Sequence, residues 1–172
     1  MISDSLTKRL NDQITLEQYS ANLYLQMSAW CEAQGLIGCA RFLGTHADEE
    51  VQHMRRLFRY VNDTGAMAVI GAVDAPRAEY TDVKELFEAT LAHEEGITKA
   101  INELVAAAFA EGDYSTFQFL QWYVAEQHEE EGLFKQICDR IRIVGVDGPG
   151  LFLFDREIGD RVGAPAEAAP AN

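Results

Sequence analysis

The sequence predicts an all-α fold: a four-helix bundle with one long crossover and a short fifth helix at the C-terminal end. Three observations predict it. Apolar residues recur at i, i+3, i+4 and i+7 along four long segments. The first and last links between those segments are short, which makes antiparallel neighbours, whereas the middle link is long and apolar. The chain has 172 residues, of which 48% are hydrophobic, enough for one domain with a substantial core.

The first helix is expected over about 5–32, with Leu6, Leu10, Ile14, Ala21 and Tyr24 on one stripe and Gly35 marking its end. The second spans about 37–63 through Leu43, Ala47, Met54, Leu57 and Val61, and "NDTG" stops it. The third, 82–110, opens with Asp82 and Glu85 in capping-box spacing and runs through Phe87, Ile97, Ile101 and Ala108. The fourth, 115–144, starts near Ser115 and carries Leu120, Tyr123, Phe134 and Ile137 on its stripe. Each is long: about 25 residues at a rise of about 1.5 Å give roughly 40 Å. "AQGLIG" and "AEGDYS" close the two hairpins. "GAMAVIGAVDAPRAEYT" is long enough, at roughly 3.3 Å per extended residue, to run the length of the bundle. After "GVDGPG" a fifth helix is expected over 150–161, so that residues 1–161 form one bundle. The tail, 162–172, has no apolar periodicity and is expected to be disordered.

Composition narrows the function. The formal net charge of −14 repels nucleic acid and anionic membranes and attracts cations. No apolar run approaches the roughly 20 residues of a membrane span, and the N-terminus lacks a secretory pattern. A cytoplasmic protein is expected. Cys31, Cys39 and Cys138 are odd in number and set among apolar residues, as buried reduced thiols would be.

The two hairpins repeat each other. "FLGTHADEEVQH" (42–53) aligns with "FLQWYVAEQHEE" (119–130), pairing Glu49 with Glu126, Glu50 with Gln127 and His53 with Glu130. The same offset pairs Glu17 with Glu94. Glu17 and Glu50 are 33 positions apart, as are Glu94 and Gln127, so each pair sits at a similar depth in its hairpin. All of these polar residues lie on apolar stripes. Four helices thus deliver Glu17, Glu50, His53, Glu94, Gln127 and Glu130 to one interior layer. Buried unpaired carboxylates cost several kcal/mol each or take up protons. No Arg or Lys stands on those stripes near that layer. Two metal cations sharing bridging carboxylates would balance the charge, and Glu-x-x-His with single glutamates on other helices is a di-iron bundle arrangement. His46, His93 and His128 read as non-ligands: the last two lie about 100° off their stripes, and His46 lacks a neighbouring acid in the pattern.

With these residues in place, the chain resembles the bacterial non-haem ferritins over residues 1 to about 161, most strongly in "LEQYSANLYLQMSAWC", "HADEEVQHMRRLF", "HEEGITKAINEL" and "FLQWYVAEQHEEEGLFKQI". The resemblance implies a ferritin-like bundle that self-assembles into a hollow homo-24-mer. It implies iron storage: Fe(II) is oxidised by O2 or H2O2 at an intrasubunit ferroxidase centre and kept as ferric oxyhydroxide. Carried over by residue, Glu17, Glu50 and His53 would hold the first iron, with Glu50 bridging. Glu94, Glu50 and Glu130 would hold the second, with Gln127 beside it, and Tyr24 matches the family tyrosine near the first. A third iron site on the cavity side would use Glu49, Glu126, Glu129 and Glu130.

Departures sort the relatives. Haem-binding bacterioferritins carry a second Glu-x-x-His, which here reads Gln127-x-x-Glu130, and a haem methionine where this chain has Val51. No haem is expected. Phe117 and Leu120 stand where animal ferritins place the acids of their threefold channel, which puts that route for iron in doubt. Two other readings compete: a shell whose metal site is structural, and a non-storage di-iron oxidase acting on an organic substrate.

Overall fold

A computed structural model describes residues 2–162. It contains five helices in the order α1 (Asp4–Ala33), α2 (Ile37–Asp63), α3 (Val83–Ala110), α4 (Tyr114–Val144) and α5 (Gly148–Asp160). The tail expected to be disordered lies, from residue 163 on, outside the described residues.

The helix starts follow from capping chemistry. Ser3 Oγ accepts from Leu6 N at 3.0 Å and opens α1. Asp82 Oδ1 accepts from Glu85 N at 2.8 Å and opens α3, while Glu85 reaches back to Thr81 N at 2.7 Å, one residue earlier than a capping box would place it. The fourth helix opens one residue before Ser115, because Asp113 caps it through Thr116 N at 3.0 Å. Leu36, at the start of α2, has no side chain to offer, and a residue of α5 does that work. Gly35 takes a positive φ of 78°, where a side chain would be strained, and turns α1 into α2.

The hairpins α1–α2 and α3–α4 pack through α1 against α3, and α5 lies across α2 and α4. The crossover runs beside α1: Asn11 Oδ1 accepts from Val69 N at 3.0 Å and Thr15 Oγ1 from Gly71 N at 3.3 Å. Further along, Tyr80 meets Trp30 edge-on at 5.8 Å. It therefore spans most of α1 while leaving the bundle interior to side chains.

That interior is divided. One apolar cluster holds Tyr24, Met27, Leu43, Phe87, Phe134, Ile137 and, from α5, Phe154 and Ile158. The other holds Leu6, Leu10, Ile14, Leu57, Val61, Ile97, Ile101, Leu120 and Tyr123. Between them in sequence on every long helix come the polar residues: Glu17 on α1, Glu50 and His53 on α2, Glu94 on α3, Gln127 and Glu130 on α4. Each is less than a tenth exposed. Cys31, Cys39 and Cys138 are buried free thiols.

Candidate metal centre

The polar layer is built by helix phase. Glu17 follows Leu10 and Ile14 on the stripe of α1, so the same turn that buries those leucine and isoleucine side chains buries its carboxylate. Glu50 and His53 are three residues apart on α2 and face the same way, with His53 Nδ1 at 3.2 Å from Glu50 Oε2. Ligand atoms of Glu17, Glu50 and His53 all lie within 4.8 Å of one another. On the α3–α4 side, Gln127 Nε2 donates to Glu94 Oε2 at 2.9 Å and Tyr24 Oη donates to Glu94 Oε1. Both oxygens of Glu94 are thus met by donors. Tyr123 Oη donates to the His53 carbonyl oxygen at 2.7 Å and ties α4 to α2 at this level.

Electrostatics make the layer unfavourable as it stands. Burial, and then the charge of Glu50, push the Glu17 carboxyl up to about 8 from its ordinary 4.5. Burial likewise raises Glu50 to about 7, and Glu94 to about 7, the latter relieved in part by the Gln127 amide. Glu130 is raised well above the carboxylate range by burial and by the charges of Glu94 and Glu50. Its Oε2 is buried and has no hydrogen-bond partner among the described residues. Four carboxyl groups therefore face each other across one layer in a state that retains protons. Divalent cations are the alternative neutraliser, and oxygen donors with one imidazole suit first-row metals.

The residues singled out from sequence are distributed as follows. Glu17, Glu50 and His53 converge; Glu94, Tyr24 and Gln127 form a hydrogen-bonded group opposite. Gln127 also lines a cavity of about 190 Å³ with Thr98, Asn102, His128 and Glu131. Glu49 and Glu130 approach each other, but Glu126 turns to His53, with Oε1 at 3.8 Å from Nε2, and Glu129 is exposed. His128 is exposed, and His93 pairs with Ser20 Oγ at 2.8 Å beside Tyr19 and Tyr24.

The arrangement differs from the sequence reading at His46. That reading gave it no acidic neighbour; its Nε2 lies 3.7 Å from Glu130 Oε2 and 3.9 Å from Glu49 Oε2. Glu130 comes from another helix, so no local pattern could place it there. Gln13 was also missed: its Nε2 donates to Glu17 Oε1 at 2.8 Å. Its signal was available, since Gln13 precedes Glu17 by one turn on the same stripe.

Comparison with known proteins gives a consistent answer. A family model described as Ferritin-like domain matches residues 7–144. A Haemophilus influenzae protein named probable bacterial non-heme ferritin-like protein is 58% identical over 160 residues, covering 93% of this chain and 97% of that one. An Escherichia coli bacterial non-heme ferritin is 51% identical over 158 residues, covering 92% and 96%. Among solved structures, the open pore ferritin of Archaeoglobus fulgidus superposes with a TM-score of 0.91 at 38% identity, covering 92% of this chain and 98% of that one. Chlorobium tepidum ferritin superposes with a TM-score of 0.83 at 50% identity, covering 96% and 100%.

Proposed function

Since the chain belongs to the ferritin family, we propose that it stores iron, oxidising Fe(II) at a di-iron centre within each subunit and holding ferric oxyhydroxide inside a 24-subunit cage. One observation carries the reading: Glu17, Glu50 and His53 bring ligand atoms within 4.8 Å of one another inside a buried layer that also holds Glu94, Gln127 and Glu130. The named bacterial non-heme ferritins, related over nearly the whole chain, support it.

Iron is the substrate. Glu17, Glu50 and His53 take one Fe(II); Glu94, Glu50 and Glu130 take the other, with Glu50 bridging. Each Fe(II) gives up one electron, so the pair reduces O2, with two protons, to H2O2; a further pair, with two more protons, reduces H2O2 to two waters. Carboxylates favour Fe(III), the harder and more highly charged ion. Gln127 is neutral where the internal repeat has Glu50, so the second site holds its ferric product more weakly and releases it toward the cavity. Tyr24 donates a hydrogen bond to Glu94 Oε1 and orients that carboxylate toward the second iron. Glu49, Glu126, Glu129 and Glu130 offer a third iron position, and Glu126 and Glu129 mark the way out. No helix among the described residues is long and apolar enough to cross a membrane, which accords with action in the cytoplasm.

Stepwise aerobic addition of Fe(II) to the assembled protein, followed by rapid spectroscopy, tests the reading. The fast phase should saturate near two irons per subunit, or three with the additional position. Oxidation with no such saturation would sink it.

A further inference from the structure

We infer that Gln13 is a positioning residue for the first iron: its amide holds one oxygen of Glu17, so that this carboxylate meets the metal through the other oxygen alone. Gln13 and Glu17 stand one turn apart on α1, and each is 2% exposed. Gln13 Nε2 donates to Glu17 Oε1 at 2.8 Å. Apart from the Glu50 carboxyl, Gln13 is the only side chain among the described residues in hydrogen-bonding contact with Glu17. Its neighbours Leu6, Leu10 and Ile14 are apolar and wholly buried. A methionine or leucine would fill the same space without an amide to desolvate, so what glutamine adds at position 13 is the hydrogen bond.

That bond suits a metal ligand in two ways. The amide is neutral: it orients the carboxylate without cancelling the charge that draws a cation, as an arginine or lysine there would. It also divides the roles of the two oxygens. Because Oε1 accepts from Gln13, the proton that burial retains on Glu17 stands on Oε2, and a cation takes that proton's place while the Gln13 bond is kept.

The other half of the bundle reaches the same end differently. At the repeat offset Gln13 aligns with Thr90, which turns instead to the Leu86 carbonyl oxygen at 3.0 Å and to Met27 Sδ at 3.3 Å. Glu94 takes its amide donor from across the bundle, from Gln127 Nε2 at 2.9 Å. Gln13 shares a helix with its carboxylate, so the orientation of Glu17 survives movement of α1 against its neighbours and is set before metal arrives. The inference rests on the proposed function in taking Glu17 as a ligand of the first iron.

Anaerobic Co(II) titration of the assembled protein, followed by visible spectroscopy, provides the test, with Gln13→Met and Gln13→Leu as apolar replacements. The wild type should bind a pair of Co(II) ions per subunit. Each variant should weaken one ion by about tenfold or more, leave the other within about twofold, and change the visible band of the weakened ion. The loss should vanish in a Glu17→Ala background, where the amide has no carboxylate to hold. In aerobic Fe(II) oxidation the same variants should raise the Fe(II) concentration at half-maximal rate more than they lower the maximal rate. Unchanged Co(II) affinities and spectra in both variants overturn the inference, and so does an equal further loss in the Glu17→Ala background. Failure of both variants to assemble overturns it too, since the amide would then serve folding. A wild type whose Co(II) pair depends on Gln13 in this way, yet which oxidises Fe(II) no faster than buffer does, supports the positioning role and sinks the proposed function alone.

Discussion

Asp155 on α5 accepts hydrogen bonds from Cys39 N at 2.8 Å and Gly38 N at 3.1 Å, so the fifth helix supplies the N-terminal cap that Leu36 cannot. The carboxylate also sits at the positive end of the α2 dipole. Asp155→Ala should cost about 1 kcal/mol, within the usual range for a lost cap. Hydrogen exchange should localise the effect, with faster exchange at the start of α2 and through α5 and little change in α3.

Gly38 makes that docking possible. A methyl group there would collide with the Asp155 carbonyl oxygen and press on Gly159 N, both of them backbone atoms with no freedom to rotate away. Gly38→Ala should therefore displace α5 as a unit, costing about 1–3 kcal/mol as overpacking does. The bundle should keep its helicity by circular dichroism while residues 148–160 lose exchange protection. Wild-type protection of α5 in this variant would show that the contact is not tight.

What sequence showed of this molecule was periodic, and what it hid was long-range. Helix phase alone put Glu17, Glu50, His53, Glu94, Gln127 and Glu130 into one buried layer, because each inherits its direction from apolar neighbours a turn away. The crossover was legible from its length. The partnership of His46 with Glu130 was not, since it depends on the axial stagger of α2 against α4. Asp155 was equally hidden: an acid inside a short amphipathic segment looks solvent-facing until the helix it caps is in place.

The raised carboxyls make a signed prediction for the metal-free protein. With Glu17 at about 8, and Glu50 and Glu94 at about 7, the folded chain holds more protons than the unfolded chain from about pH 4.5 to about pH 8. Their contribution to stability is therefore flat below that window and is lost as pH rises through it. Metal binding requires deprotonated ligands and releases protons. The Tm of metal-free protein should fall between about pH 4.5 and 8, and the rise in Tm caused by Zn(II) should grow over the same range. Thermal melts with and without chelator decide this; a metal-free Tm that climbs with pH would mean that other groups dominate.

Gln127→Glu tests the role of the neutral amide. The change removes the donor to Glu94 Oε2 and places a further carboxyl in the layer. The second iron should bind more tightly, so the first fast phase of oxidation should survive while its recovery after a waiting period slows by about tenfold. Recovery at the wild-type rate would separate product release from the charge of residue 127.

Glu17→Gln distinguishes an oxidising centre from a merely structural metal site. The substitution keeps the shape of the side chain, and at neutral pH the metal-free Glu17 carboxyl is largely protonated already, being raised to about 8. Relative to wild type, metal-free stability should change little at or below about pH 4.5 and improve progressively from there to about pH 8, because the folded wild type must hold a proton on Glu17 that the unfolded chain has released. Assembly should be retained. Loss of one anionic ligand should weaken the first iron and lower the initial rate of Fe(II) oxidation by about 10–100-fold. Native mass, thermal melts and stopped-flow oxidation on one preparation separate these effects. If assembly, stability and the oxidation rate were all unchanged, Glu17 would hold no reacting iron, and a structural shell would become the better reading.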